Sequence, residues 1–505
     1  MAIPLAVAAS VKSPGLFLDV NLTAGQSSPG SAVRRCLMVS QKSAAGTITA
    51  DTELVRAVGG EQVVSGLLGP GSLGHLASIA LFREYGLAQV DLICPTASSG
   101  VAATEDVTFA TGPPTVSHTV NCYIAGRRIQ IVWAASETDT VGAATLAAAI
   151  NANINLPVTA TSALGVTTIT AKSAGTWGND IKLRLEVLDG TTGTVTAGAA
   201  ALSLGTLEYD CTTALGLVTQ EEYDLILVCT GNTDANDGTA TSNPGIVKTH
   251  IDGLDEGQQA KLQQSVFAAT GTLAALKVGT AALNFARAQA VFANNALSLP
   301  CEWAGAEVGA RLKAESVDLA ANRIRQEYVA DLFTVDDLSA DALTEAEIED
   351  ALNNGVTPVG FTSQGVPRPE RPITTFHLDA SANPDDRVLD TSRVTGTDGV
   401  AKDLRVTLPR EFQGAKLSED LTGPVDELPP GVVEVRDIKS FVDGRVRFFI
   451  ALGVVKGADY QESVDNGTFV VRVNPSDPSQ CDIVLPLKIV PPLAKFSVVV
   501  QHVGP

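Results

Sequence analysis

The sequence predicts a multidomain protein mixing the α/β and α+β classes. A discontinuous α/β domain carries a small, β-rich α+β insertion and is followed by a mixed α/β domain. Three observations predict this. The chain has 505 residues, more than one hydrophobic core usually serves. Buried strand runs alternate with helical segments up to about residue 103, and the same pattern resumes after residue 205. The stretch between has its own texture, with short alternating strands flanked by Gly, Thr and Ala.

Residues 1–30 hold Pro4, Pro14, Gly15, Gly25, Pro29 and Gly30 around one apolar run, Leu16-Phe17-Leu18-Asp19-Val20. That composition reads as an extended arm with a single strand. The discontinuous domain is placed at 31–103 and 205–325. In its first part Arg34 to Ser40 and Gln89 to Cys94 read as strands, and Asp51 to Val58 and Ser72 to Tyr85 as helices. In its second part Tyr223 to Cys229, Gln264 to Ala269 and Ala288 to Phe292 read as strands. Helices are expected there at Asp255 to Gln264, Ala274 to Ala286 and Glu302 to Leu319.

Residues 104–204 read as an inserted, outer ββαβββ domain. A hairpin from Val116 to Trp133 turns at Gly126-Arg127, a helix covers Thr140 to Ala152, and strands follow at 158–161, 166–171 and 181–187. Its hairpins are expected on the outside. Residues 326–487 form the second mixed domain, with a helix at Thr344 to Asn354 and strands at Val356 to Phe361 and Thr374 to Leu378. Residues 488–505 are a second arm, whose strand Phe496-Ser497-Val498-Val499-Val500-Gln501 follows Pro491-Pro492. A lone strand leaves its ladder groups unpaired, so it must join a sheet, in its own chain or a neighbour's. Joining a neighbour's is β-augmentation, a route to chained assemblies.

Apolar residues at 45% and charged residues at 18% fit a packed globular chain. Against 35 basic residues stand 56 acidic ones, a net charge of −21. Such a surface repels phosphate, which argues against nucleic acid and anionic membranes as partners. No basic segment precedes the apolar Met1 to Ser10, so no export signal is read, and no run of about 18 apolar residues spans a membrane. Seven cysteines (36, 94, 122, 211, 229, 301 and 481) are scattered without a CxxC pair. This argues against a zinc site or a disulfide scaffold and leaves buried thiols or cross-links between subunits.

Gly69-Pro70-Gly71-Ser72-Leu73-Gly74 matches GxGxxG and opens a helix. A dinucleotide site needs a strand before the glycines and an acid ending a second strand roughly 20 positions on. Here Val63 to Leu68 reads as helix or loop as readily as strand, Pro70 stiffens the turn, and Glu84 and Asp91 sit in a helix and a strand start. A glycine-rich turn with Ser72 as helix cap is the better reading. The histidines (75, 118, 250, 377 and 502) are dispersed, and no nucleophile elbow, P-loop or EF-hand occurs. No cofactor or metal is therefore expected. Glu345, Glu347, Glu349 and Asp350 read as a solvated acidic face. Arg368-Pro369-Glu370-Arg371-Pro372 is a stiff, basic edge before a strand; its arginines either pair locally or meet an acidic neighbour.

Several segments resemble the tail sheath proteins of contractile phages, the Mu-like group above all. Ser13-Pro14-Gly15-Leu16-Phe17-Leu18-Asp19-Val20 resembles that family's PGvYxE arm, with Phe17 and Asp19 in place of Tyr and Glu. Arg34 to Lys42 with Gly46-Thr47 is similar to its first core strand, and Leu68 to Ala77 to its FGxGSxLaxM segment. Within 104–204 the likeness runs through Ile124 to Arg128, Leu146 to Asn151, Leu156 to Ala160 and Gly175 to Ile181. Gly365 to Thr375 is similar to GxvxIeRxiTTy, and Leu493 to Phe496 more loosely to AnqfRvfa.

The resemblance implies a structural subunit, not an enzyme, that polymerises as hexameric rings around a tail tube and contracts to drive the tube through the host envelope. Its partners would be further copies of itself, the tail tube protein, and baseplate and tail terminator proteins. It would reside in the virion, after assembly in the host cytoplasm. The arms would complete neighbours' C-terminal sheets through Leu16, Phe17, Leu18, Asp19 and Val20, and through Phe496, Val498 and Val500. Arg368 and Arg371 would be candidates for a neighbour or tube contact. Other readings stay open beside it: the sheath of a phage-like injection device (a tailocin or secretion system), an α/β nucleotide-binding enzyme using Gly69 to Gly74, or a surface-layer protein.

Overall fold

Arg35-Cys36-Leu37-Met38-Val39 lies within an eight-stranded sheet and shows how its two faces are built. Alternation along the strand sends Cys36 and Met38 into one hydrophobic cluster and Leu37 and Val39 into another. The computed structural model of the chain describes residues 34–188, 192–255, 261–333, 342–418, 431–476 and 479–494. The arm strands expected at 16–20 and 496–501 lie outside the described residues.

The chain begins with β1 (Arg35–Val39), β2 (Leu54–Val58), α1 (Glu61–Leu68), α2 (Leu73–Glu84) and β3 (Gln89–Ile93). A block follows of β4 (Thr104–Ala110), β5 (His118–Ile124), β6 (Arg127–Trp133), α3 (Asp139–Ala152), β7 (Val158–Ala163), β8 (Val166–Ala171), β9 (Leu183–Leu188) and β10 (Thr194–Ala197). Next come α4 (Thr212–Leu215), β11 (Leu225–Val228), α5 (Asn232–Asp237), α6 (Asn243–Asp252), β12 (Gln264–Ala269), α7 (Leu273–Leu283), β13 (Ala288–Phe292) and α8 (Pro300–Glu315). They are followed by α9 (Glu345–Asn353), β14 (Thr357–Phe361) and β15 (Pro367–Pro369). The last part holds α10 (Thr391–Glu411), β16 (Lys416–Ser418), β17 (Val432–Glu434), α11 (Val435–Ala451), α12 (Gly457–Asp465), β18 (Val470–Val473) and β19 (Cys481–Val484).

The large sheet has the order β15-β14-β13-β12-β11-β1-β3-β2. Its interior ladders are parallel, while β2 and β15 are antiparallel to their neighbours. Strands β11, β12 and β13 are buried throughout, as a parallel sheet covered on both faces requires. On one face α2 and α8 touch closely: a Cβ at Gly305 or Gly309 would stand 2.3 Å from Ala77 O or 2.5 Å from Leu81 O. The β4–β10 block makes two sheets of its own, β10-β4-β8-β7 and β6-β5-β9, with α3 touching both. The last part has a separate cluster in which Val442, Val446, Phe449 and Phe469 are buried.

Several expectations change. Asp51 to Val58 is a turn and strand β2, not a helix, because it pairs along β3 and Gly59-Gly60 ends it. Of the helix expected at 255–264, residues 256–260 lie outside the described residues and Gln264 already begins β12; the helix before them is α6, started by Ser242, whose side chain accepts from Gly245 N, and by Pro244. In place of a strand at 374–378 there are isolated bridges, Ile373 with Asp390 and Leu378 with Pro384. The β5–β6 turn, expected outside, is docked inward. Arg127 pairs with Glu302 and lies over Phe333 at 5.4 Å, close against Gly126. The β7–β8 turn does face solvent, with Leu164 93% exposed. The block also gains β4 and β10 beyond ββαβββ, and the large sheet extends past residue 325 through β14 and β15.

Candidate assembly surfaces

Strand addition needs an edge with unpaired backbone groups, and both ends of the large sheet are unfavourable for it. At one end β15 carries Pro367 and Pro369, which have no N–H to offer. Their carbonyls accept from Tyr328 N at 3.0 Å and Arg325 N at 2.9 Å. At the other end β2 has a register shift between Val55 and Val58, and Ala57 N donates to Asp91 Oδ1 at 2.8 Å. Arg56 projects there and pairs with Glu221 at 2.8 Å, so this edge is bulged and charged.

The β18–β19 hairpin is different. Among the described residues these two strands pair only with each other, in the register Val470–Val484 to Val473–Cys481. A two-stranded sheet is marginal alone and stands here because one face is covered. Phe469 and Val471 are buried, and Phe469 packs on the Tyr460 ring at 6.0 Å. Arg472 and Asp482 face each other at 3.8 Å, and Val484 is 55% exposed. The chain then returns beside Val454 to Lys456, with Ile489 bridged to Val455, before reaching exposed Leu493.

This last part meets the large sheet through charge. Arg34 and Lys402 converge on Asp224 Oδ1 at 2.7 and 2.8 Å. Burial pushes the Asp224 carboxyl up, but the two cations outweigh it and hold it well below the usual range. Arg311, 1% exposed, donates to Glu315 at 2.8 Å, Gln264 at 2.7 Å, Gln289 at 3.1 Å and Thr395 at 3.3 Å. Asp398 of α10 takes Arg287 at 2.5 Å.

The glycine motif has a structural task. Ser72 caps α2 by accepting from His75 N at 3.3 Å. Gly71 has φ +76°, and a Cβ there would stand 2.0 Å from Leu156 O of the β4–β10 block. Lys172 fastens the contact, donating to Pro70 O at 2.8 Å and Ile154 O at 2.5 Å; burial lowers it to about 8. His75 Nδ1 accepts from Gly71 N at 2.9 Å, and burial, with Lys172 and Arg127 nearby, lowers its pKa to about 4. The side of the loop that a pyrophosphate would need is taken up by protein.

Of the predicted site residues, Leu16, Phe17, Leu18, Asp19, Val20, Phe496, Val498 and Val500 lie outside the described residues. Arg371 grips Asp390 with two bonds, 2.7 and 3.1 Å, tying the end of β15 to the start of α10. Arg368 lies 3.4 Å from Glu370, which also takes Arg325 at 2.6 Å. Sequence reading did not single out the open hairpin. Its signal was Val470 to Val473 and Cys481 to Val484 around the turn-forming Asn474-Pro475. All seven cysteines are free thiols; six are buried, and Cys481 on β19 is half-buried. Among the described residues no helix is long and apolar enough to cross a membrane, and no His, Cys, Asp and Glu group could hold a metal.

No family model matches the chain. A curated relative, the Mu-like prophage FluMu tail sheath protein of Haemophilus influenzae, is 30% identical over 187 residues. That match covers 36% of this chain and 37% of the relative, so it spans little more than a third of the relative's length. A sheath tail protein from Desulfitobacterium hafniense superposes with a TM-score of 0.44 at 14% identity, over 94% of this chain and all of the other. One from Listeria innocua gives 0.41 at 16%, over 84% and 86% of the two chains. A chain of the anti-feeding prophage baseplate gives 0.39 at 13%, over 60% and 77%. The curated relative is thus a Mu-like prophage tail sheath protein, the kind of protein that the sequence motifs resemble, and two of these solved structures are sheath tail proteins.

Proposed function

We propose that the chain is the structural subunit of a contractile phage tail sheath, polymerising around a tail tube and shortening to drive the tube through a host envelope. The observation that carries this is the 30% identity to a Mu-like tail sheath protein, in a chain whose motifs resemble that family along most of its length. The hairpin supports it physically: among the described residues β18 and β19 pair only with each other, whereas the large sheet ends in a proline-bearing strand and in a bulged, charged one. In this reading the strands at 16–20 and 496–501 of neighbouring copies extend that hairpin into a sheet shared by several chains. Each backbone bond gained there contributes roughly 0.5–1.5 kcal/mol net. Gly- and Pro-rich tethers let the bodies turn while the shared sheet holds. The block at 104–204 would face outward through its β7–β8 turn, and Arg368 and Arg371 would add a contact to a neighbour or the tube. Partners would be further copies in hexameric rings, the tube, the baseplate and the terminator.

Negative-stain electron microscopy of the purified chain over a concentration series tests this. Striated tubes or rings of uniform diameter are expected, with or without added tail tubes. Deleting residues 1–20 should leave a folded subunit that no longer polymerises. Monomers that ignore added tubes, or tubes formed by the deletion, would overturn the reading.

A further inference from the structure

A half-open groove of about 500 Å³ lies where the start of β13, the first turns of α10 and the returning segment 487–491 meet. Its lining is cationic in a chain of net charge −21: Arg287, Arg387, Arg393, Lys456 and Lys488 line it, with Asp398 the one acid there among the described residues. Each cation has a partner, yet Asp385, Asp390 and Asp459, which hold four of them, stand outside the lining. Guanidinium and ammonium groups carry more donors than one carboxylate uses. The groove therefore presents N–H groups to an incoming anion.

The chain also displays a matching surface. Glu345 and Glu349 sit one helical turn apart on α9, both exposed. Helix α9 is fixed to its own body by buried Ala351 and by the Asp350 pair with Lys277 at 2.8 Å, and none of its residues lines the groove. We propose that the groove receives the acidic face of α9, Glu345 and Glu349, from a second copy of the chain. Groove and helix are different surfaces, so unless two copies exchange both contacts at once the pairing is head-to-tail and propagates into rings or open helices. It rests on the self-assembly reading above but not on the arms. It supplies a second, salt-sensitive contact beside strand addition.

A charge swap in the full chain tests it. Arg387→Glu, Lys456→Glu and Lys488→Glu together reverse the groove, leaving Arg287 and Arg393 against Asp398 and the new glutamates, and Glu345→Lys with Glu349→Lys reverses the helix; Glu347, which caps α9, is left alone. Self-association is followed by sedimentation, and fold by circular dichroism. Each reversed chain alone should associate about tenfold more weakly or worse, because like charges then face each other. A 1:1 mixture of the two, or one chain with all five substitutions, should recover parental association. Folded single variants that associate like the parent, or a mixture that recovers nothing, would overturn the contact. Loss of fold in the groove variant moves the test to Arg387→Glu alone, at a side chain 79% exposed, which should associate more weakly than the parent; parental association there would overturn the contact. Uniform tubes formed equally by the reversed chains would refute the groove and leave the sheath reading intact. Swap-dependent association without tubes would do the reverse.

Discussion

Between the β4–β10 block and the large sheet a shared apolar cluster is fastened by polar ties such as Lys172 to Pro70 O, whereas α10 meets the same sheet mainly through arginines and carboxylates. Trp133, Leu156 and Trp177 of the block share one hydrophobic cluster with Met38, Leu227 and Val266 of the sheet. The last part keeps its own separate cluster and reaches the sheet through Arg311, Asp398, Lys402 and Asp224. Apolar contact tolerates small shifts in side-chain position at little cost per contact. A buried ionic joint holds only when every member is present, because one missing partner strands a charge. The block is thus the part welded to the sheet, and the part with the open hairpin is the one held by switchable interactions.

Arg311→Ala should break this contrast most strongly. It strips partners from Glu315, Gln264 and Gln289 and should cost ~3–5 kcal/mol, read by chemical denaturation. A loss under about 1 kcal/mol would mean the network is not what holds α10. Gly71→Ala should act on the other joint, since the new Cβ meets Leu156 O and φ is positive. A cost of ~1–3 kcal/mol is expected, with faster amide exchange in β7 and β8 and unchanged exchange in α11.

A smaller effect is a difference of sign with pH. Asp224 titrates below the usual range when folded, so its stabilisation is full above about pH 4 and fades as pH falls further. Burial instead raises Glu208, which bonds Thr176 in the turn before β9, to about 8, and Asp180 in the same turn to about 7. The unfolded chain releases those protons near pH 4 while the folded chain keeps them, so stability there falls as pH rises from about 4 to 8. Amide exchange corrected for intrinsic rates should show the 176–180 turn opening more at pH 8 than at pH 5. The Asp224 pairing with Arg34 and Lys402 should hold across that window and weaken only below about pH 4, whereas burial raises Asp398 of the same contact. Loss of the Asp224 pairing as pH rises from about 5 to 8 would contradict the assignment.

Much of the large sheet was legible because β11, β12 and β13 are short apolar runs that no surface position would keep. Ser72 was legible as a cap because Ser before an apolar helix has few other uses. What escaped was set by tertiary contact. Gly396, Gly399 and Pro409 argue against a helix, yet α10 runs through them, with Gly399 lying where a Cβ would stand 2.5 Å from Leu319. Helix α11 was readable and missed: Ile438, Val442, Val446 and Phe449 repeat at helical spacing. Arg311 and Glu315 look like an exposed i,i+4 pair; only the fold brings Gln264, Gln289 and Thr395 around them. The open hairpin was hidden for a related reason, since an edge is defined by what does not pair with it.

Hydrogen exchange on β18 and β19 in the dispersed chain and in the assembled form tests the central claim most directly. The account predicts that outward-facing amides within 470–473 and 481–484 exchange fast in the dispersed chain and become strongly protected on assembly. Deleting residues 1–20 should abolish that protection. Hairpin amides that exchange alike in both forms, within tubes that nonetheless assemble, would contradict strand addition at this site.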